Sequence, residues 1–187
     1  MNYNKILFLV LFVSVGISCK KHKSQTEIVV EYPIILADNF EVALDTLPLD
    51  QYIIRESFAF PIDLDSELSK HGTNKKSIKS AHLVSLKLQV LDYAYADSTK
   101  YDNFKDLSEM YMDIKFDGIG QQQIASKTFI PDIRTKVINL DMANVDITRY
   151  LQQETIKMVF KYKKRRQMHN EMPYIISGKF SIVADPL

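Results

Sequence analysis

Apolar and polar side chains alternate along five stretches of this 187-residue chain. Successive side chains of a β-strand point to opposite faces, so each stretch is expected to be a strand with one buried and one solvated face. Such strands favour antiparallel pairing, because strands of parallel sheets are usually apolar on both faces. The apolar positions are Phe58, Phe60, Ile62 and Leu64; Val84, Leu86, Leu88 and Val90; Met110, Met112, Ile114 and Phe116; Ile156, Met158, Phe160 and Tyr162; and Ile176, Phe180 and Ile182.

The signals between these stretches are turns and short helical segments. Further strands are expected at 28–36, 124–130 and 137–142, and Asp117 followed by Gly118 predicts a tight turn. Helical turns are expected to begin at Asn103 and Asp146, whose side chains suit an N-cap. Because neither helix is long enough to cover a sheet, we expect an all-β fold. Its architecture is expected to be an antiparallel β-sandwich, jelly-roll or immunoglobulin-like, with one or two short helical turns.

Charge and cysteine content exclude several classes of protein. The 24 Lys and Arg residues nearly balance 23 Asp and Glu residues, so the chain has no overall field that would attract nucleic acid, and we expect no nucleic-acid partner. A hydrophobic fraction of 46% is too high for a disordered protein. The single Cys rules out a domain held by disulfides within the chain and a zinc site built on cysteines.

The first 18 residues contain the three parts of a secretory signal. Lys5 gives the positive start, residues 6–15 (ILFLVLFVSV) form an apolar core, and Gly16 and Ser18 are small residues placed just before Cys19. An apolar run of this length does not span a hydrocarbon layer, which takes about 20 helical residues. Two alternative interpretations of this segment remain. It could be an ordinary signal peptide that Cys19 follows by chance, or a membrane helix that is retained.

Residues 16–19 (GISC) resemble the lipobox of bacterial lipoproteins, in which signal peptidase II cleaves before a lipidated Cys. Gly16 departs from the usual Leu at its position. The resemblance implies acylation with palmitate-like chains at Cys19 and contact with a membrane through that residue. Lys20, which is not Asp, points to the outer membrane of the cell envelope. The expected organisation is a signal peptide at 1–18, a lipidated tether at 19–27 and a β-sandwich domain at 28–187.

Two short segments resemble those of secreted jelly-roll sandwich domains, which often accompany carbohydrate-active or cell-surface proteins. Residues 145–151 (VDITRYL) look like the "DVT" segment of such domains, and residues 78–83 (IKSAHL) look like their "sA.L" segment. The resemblance implies the sandwich architecture and assigns no binding residue.

The sequence offers little that would support catalysis. It has no Gly-x-Ser-x-Gly motif, and its four His residues do not share a metal-binding spacing; His82 is expected to close one end of the core. Asp63, Asp65 and Glu67 are expected on one strand face, where they suit a cation site, a glycoside hydrolase pair or a solvated face that discourages aggregation. We expect no enzymatic activity, cofactor or metal, with a carboxylate hydrolase as the alternative.

Two segments are candidate binding surfaces. Tyr93, Tyr95 and Tyr101 combine flat rings with hydroxyl groups, which suit sugar stacking or protein contacts, and core packing at a strand end is the alternative. A polar hairpin tip between the last two strands is expected to cluster four cations that could meet acidic lipid, anionic glycan or an acidic protein, or simply be solvated. These cations are Lys163, Lys164, Arg165 and Arg166.

These features favour a membrane-anchored cell-envelope lipoprotein whose β-sandwich acts as a non-enzymatic binding or scaffold module. The expected partners are the membrane, through Cys19, and an envelope protein or a glycan. The alternative function is a carbohydrate-binding module of a surface glycan-uptake system; the lack of Trp counts against it, although Tyr can also form a stacking platform.

Overall fold

The strands form two antiparallel sheets that pack as a β-sandwich, so the predicted fold class is confirmed. The computed structural model describes residues 26–40, 49, 51–56, 59–61, 63–90, 103–166 and 172–187. One sheet has the order β1 (Thr26–Phe40), β10 (Met172–Ala184), β4 (Ile78–Val90) and β7 (Val137–Asn139). The other has the order β2 (Tyr52–Glu56), β9 (Thr155–Lys164), β5 (Leu107–Phe116), β6 (Gly120–Lys127) and β8 (Asp141–Met142), and β3 (Phe60–Pro61) also pairs with β9.

The predicted alternation produces the core. Met110, Met112 and Ile114 of β5 are buried, while the residues between them are partly exposed. Strands β9 and β10 contribute Ile156, Met158, Phe160, Tyr162, Ile176, Phe180 and Ile182 by the same rule, although Val159 on the outer face of β9 is buried as well. One apolar cluster joins the inner faces of both sheets, which explains why strands with only one apolar face are stable here.

A bulge in β4 interrupts the alternation that the sequence predicts. Phe180 pairs with Leu83 and Lys179 pairs with Ser85, so Val84 is an extra residue without a partner in β10. The extra residue changes which side chains face the core, because a shift of one residue reverses the two faces of a strand. Val84 is therefore 51% exposed, contrary to the prediction, and His82, which pairs with Ser181 within β4, is partly exposed.

The helical turns are short, and their positions are only partly those predicted. Asn103 caps a 3₁₀ turn at Phe104–Asp106, where its Oδ1 accepts from the Lys105 N–H at 3.1 Å. The carboxylate of Asp146 accepts from the N–H groups of Thr148 at 2.8 Å and Ala81 at 3.3 Å, which starts α2 (Thr148–Leu151) and ties it to β4. A 3₁₀ turn at Lys75–Ser77 and helix α1 (Asp65–Lys70) were not expected.

Helix α1 corrects the prediction of a carboxylate row on a strand. Leu64 and Leu68 are both fully buried, and their spacing of four residues is the helical period. Asp65 and Glu67 occupy the first turn of α1, and Asp63 precedes it outside any strand. Phe58 and Ile62 of the predicted stretch lie outside the described residues, and from Leu64 onward the spacing is helical, so the hydrolase alternative loses the strand face on which it rested.

The expected strand at 137–142 is two strands in different sheets. Val137–Asn139 pairs with β4 of the four-stranded sheet, and Asp141–Met142 pairs with β6 of the other sheet, with the buried Leu140 between them. The expected strand at 124–130 overlaps β6, which begins earlier, at Gly120, after the predicted turn at Asp117 and Gly118. Strand β2 was missed, because its single buried residue, Ile53, gives no alternating pattern.

The last two strands do not form a hairpin. Strand β9 lies between β2 and β5 in the six-stranded sheet, whereas β10 lies between β1 and β4 in the other sheet. The segment after Arg166 therefore connects the two layers of the sandwich. The prediction of a hairpin tip at this place is wrong.

The register of the strands defines two ends of the sandwich. Thr26, Ala184 and Ile78 are paired neighbours at what we call the tether end, because the predicted tether at 19–27 ends there; its last two residues already belong to β1. At the opposite end, which we call the distal end, the Val90 N–H donates to the Lys136 carbonyl at 2.8 Å and the Phe104 N–H donates to the Thr135 carbonyl at 3.0 Å. The loop at 128–136 therefore lies at the distal end.

Candidate functional site

The four cations predicted to form one exposed cluster are held in separate environments. Lys163 lies in β9 with its ammonium 3.5 Å from the Glu109 carboxylate. Lys164, the next residue, has its side chain on the opposite face and is buried, so its place in an exposed cluster is a wrong prediction. Arg165 and Arg166 follow β9; Arg165 donates to backbone carbonyls and lies 3.9 Å from the Asp132 carboxylate, to which Arg166 donates directly.

Arg165 connects three segments at the distal end. Its guanidinium donates to the Lys105 carbonyl at 2.7 Å and to the Ile130 carbonyl at 2.6 Å. Its backbone N–H donates to the Asp106 carbonyl at 2.8 Å. These bonds fix the end of β9 to the 3₁₀ turn and to the 128–136 loop, which gives Arg165 a structural role.

Arg166 forms an exposed ion pair instead. The two terminal guanidinium nitrogens, Nη1 and Nη2, donate to the Asp132 carboxylate, Nη1 at 2.7 Å, and the Arg166 side chain is about half exposed. The hydrogen bonds from Arg166 lower the pKa of Asp132. Asp106 is a second carboxylate near Arg166, at 3.9 Å.

Arg165→Ala is expected to destabilise the protein by about 2–3 kcal/mol. Hydrogen bonds from a charged donor are strong, and the substitution leaves the Lys105 and Ile130 carbonyls without this donor. Arg166→Ala is the matched control; it should have a much smaller effect, because exposed ion pairs contribute little. Urea unfolding of both variants measures the difference. Equal effects of the two substitutions would show that Arg165 does not hold the loop.

The 128–136 loop, which we call the distal loop, presents two large apolar side chains to solvent. Phe129 is 69% exposed and Ile133 is 64% exposed. Between them, the Ile130 side chain is fully buried and its N–H donates to the Ser108 carbonyl at 3.0 Å. The loop backbone is thus fixed from several sides while Phe129 and Ile133 remain available for contact.

A second group of side chains lies on the outer face of the six-stranded sheet, and we call it the tyrosine–lysine face. It consists of Tyr52 on β2, Glu109 and Tyr111 on β5, and Lys161 and Lys163 on β9. These residues are neighbours across the sheet, because Lys163 pairs with both Tyr52 and Glu109, and Lys161 pairs with Tyr111. Alternation places their side chains away from the core.

Glu109 organises this face. Its carboxylate accepts from the Tyr52 hydroxyl at 2.7 Å and from the Tyr111 hydroxyl at 3.1 Å. The hydrogen bond from Tyr52 lowers the pKa of Glu109, and the same bond raises the pKa of Tyr52. The two rings meet edge to face, with centroids 5.9 Å apart, so the tyrosines form an angled pair and not a flat platform.

Lys161 lies over both rings of the pair. Its ammonium is 4.4 Å from the Tyr52 centroid and 5.6 Å from the Tyr111 centroid, which are cation–π distances. Further along the same face, Glu56 forms ion pairs with Lys115 at 2.7 Å and Lys157 at 2.8 Å. Lys115 and Lys157 lower the pKa of Glu56 through these contacts.

Tyr93, Tyr95 and Tyr101 lie outside the described residues, as does Cys19. The segment that holds the three tyrosines connects Val90 to Asn103, both of which are at the distal end. Sequence reasoning missed Phe129, Ile133, Tyr52 and Tyr111. The exposure of Phe129 could have been predicted from the neighbouring Pro131 and Asp132, because both residue types favour a loop. An apolar side chain in a loop does not belong to the buried face of a strand.

Among the described residues, no group of three or more His, Cys, Asp or Glu side chains is arranged to hold a metal ion. In the same part of the chain, every helix is too short or too polar to cross a membrane. The described residues therefore form two candidate contact surfaces, one at the distal loop and one on the tyrosine–lysine face.

Comparisons with known proteins give a distant structural likeness. No family model matches the chain. A search of curated proteins also finds no match. Among solved structures, one match is titled Desmodium yellow mottle tymovirus, with 11% identity, a TM-score of 0.31, and coverage of 88% of this chain and 84% of that chain. A similarity at this score supports no argument about function.

Proposed function

We propose that the protein is a lipid-anchored cell-envelope lipoprotein whose β-sandwich is a non-enzymatic module that binds a partner protein through the distal loop. The observation that carries this proposal is the exposure of Phe129 and Ile133 on a loop whose backbone is fixed. Large apolar side chains in such positions are typical of binding anchors, because little conformational entropy is lost when they are buried by a partner.

In this proposal the anchor precedes the tether end in sequence, whereas the distal loop lies at the opposite end of the sandwich. Thr26 lies seven positions after Cys19, and seven extended residues reach about 25 Å at most. Strand β4 runs between the two ends with 13 residues, a length of about 43 Å at the usual rise of a strand. When the tether end faces the membrane, the distal loop is therefore presented far from the lipid surface, toward other envelope proteins.

Residues 16–19 and Lys20 support the proposed location of this module at the outer membrane. The lipobox resemblance places lipid on Cys19, and a residue other than Asp after it favours the outer membrane. Several acyl chains hold a protein on a membrane far more firmly than one.

Site-specific photocrosslinking in intact cells tests the binding surface. With a photoreactive residue in place of Ile133, the full lipidated chain is expected to form one discrete protein adduct, which Phe129→Ser should abolish. Position 84 is the control, because Val84 is also an exposed apolar side chain but lies on β4, away from the loop. Equal adducts at both positions, or none at position 133, would contradict the proposal.

A carbohydrate-binding module is the second candidate function. Its support is the tyrosine pair, whose hydroxyls are oriented by Glu109 on an open sheet face. Sugars offer hydroxyl groups to polar side chains and C–H faces to aromatic rings, and Tyr supplies both kinds of contact. This candidate uses a different surface from the distal loop, so the two can be tested separately.

A further inference from the structure

Lys161 differs from the other cations on its face of the sheet. Lys157 and Lys115 share the Glu56 carboxylate, and Lys163 lies 3.5 Å from Glu109. Within the part of the chain that the structure describes, the Lys161 ammonium makes only cation–π contacts, and these are with the Tyr52 and Tyr111 rings. Its ammonium is therefore positioned by aromatic rings while its N–H donors have no carboxylate partner there.

This position determines which ligands can use the tyrosine pair. The ammonium lies over the face of Tyr52, so a neutral sugar would have to displace Lys161 before it could stack on that ring. A carboxylate or sulfate group would instead pair with the ammonium where it already is. Because the rings hold the ammonium in place, less side-chain entropy is lost when an anion binds to it.

The surroundings of Lys161 are suited to an extended polar ligand. Across the sheet, Lys161 pairs with Tyr111, which pairs with Ser126, and in the next row Asp113 pairs with Gln123. These positions place hydroxyl, carboxylate and amide groups along a line that crosses several strands. Sugar hydroxyls can donate to and accept from all of these groups.

We propose that the tyrosine–lysine face binds an acidic glycan, with the Lys161 ammonium paired to a carboxylate or sulfate group and with polar side chains of β5 and β6 contacting the sugar hydroxyls. This inference rests on the second candidate function and is independent of the distal loop. An acidic peptide is the competing occupant, but Ile54 and Tyr52 are the only exposed large apolar side chains that the described part of this face offers to a protein interface.

A binding panel tests the proposal with the full chain carrying Cys19→Ala, so that lipid does not dominate. The probes are polygalacturonate and chondroitin sulfate as acidic glycans, dextran as a neutral glycan, and poly-L-glutamate as an acidic peptide. We expect at least one acidic glycan to bind, at least tenfold weakening by Lys161→Gln, and recovery of most binding by Lys161→Arg. Lys157→Gln is the matched control on the same strand and face, and it should change binding less than threefold.

Four outcomes would overturn the proposal: no binding to either acidic glycan; equal binding of dextran with no effect of Lys161→Gln; equal Lys161-dependent binding of poly-L-glutamate; or equal weakening by Lys157→Gln. Dextran binding without a Lys161 effect would leave a carbohydrate-binding module intact while removing its acidic ligand. Binding should also weaken as salt is raised, because ions screen a partly exposed ammonium.

Discussion

Replacement of Cys19 with Ala is expected to move the protein almost completely from the membrane fraction to the soluble fraction. Lipidated Cys19 is the proposed anchor, and removal of the sulfur removes the site at which acyl chains attach. Stable membrane binding needs more than one acyl chain or an additional signal, so the polar tether alone should not retain the domain. Cell fractionation, together with metabolic labelling by a palmitate analogue, measures both consequences.

Ser24→Ala is the control for this experiment, since Ser24 also lies in the tether but has no part in the lipobox. It should leave both the label and the membrane fraction unchanged. A wild-type protein that is soluble and unlabelled, with residues 1–18 still attached, would contradict the lipid anchor. That result would leave the sandwich and its two surfaces as they are, because none of the described contacts involves Cys19.

Phe160→Ala is expected to destabilise the protein by about 3–5 kcal/mol, a large share of the 5–15 kcal/mol typical of a domain. Phe160 on β9 is almost fully buried and meets Tyr174 of β10 edge to face, with ring centroids 5.6 Å apart. Since β9 and β10 belong to different sheets, this aromatic contact joins the two layers. Urea unfolding should show a lower midpoint, and the melting temperature should fall by about 2–4 °C per kcal/mol.

Phe129→Ala is the matched control for the core substitution. It deletes the same side chain from an exposed position in the distal loop, so stability should change little. A large loss of stability with Phe129→Ala would show that the ring is buried in the folded protein and is not available to a partner. A small loss with Phe160→Ala would show that the contact between the sheets is not a principal source of stability.

The sandwich could be predicted from the sequence because alternation is a local property of each strand. The stretches around Met112, Phe160 and Ile176 confirm this, and their alternate side chains are buried as expected. The errors occur where a single residue changes the local geometry. The bulge at Val84 reverses the buried face of β4, and the helix after Leu64 replaces an apparent strand.

The candidate site was less predictable, since it depends on which strands become neighbours. Tyr52 and Tyr111 are far apart in sequence, and only the order of β2, β9 and β5 brings both hydroxyls to Glu109. The cluster predicted at 163–166 fails for the opposite reason. Adjacent residues of a strand point to opposite faces, which separates Lys163 from Lys164 although they are consecutive in sequence.

The pairing of β1 with β10 also has a consequence for when the protein can fold. Thr26 pairs with Ala184, so the earliest described strand has its only described sheet partner near the end of the chain. Contacts between such distant segments form slowly, because a long loop must close first. The four-stranded layer cannot be completed until β10 has been synthesised, because β10 lies between β1 and β4, so this layer stays without its second strand while the strands of the six-stranded sheet are already available.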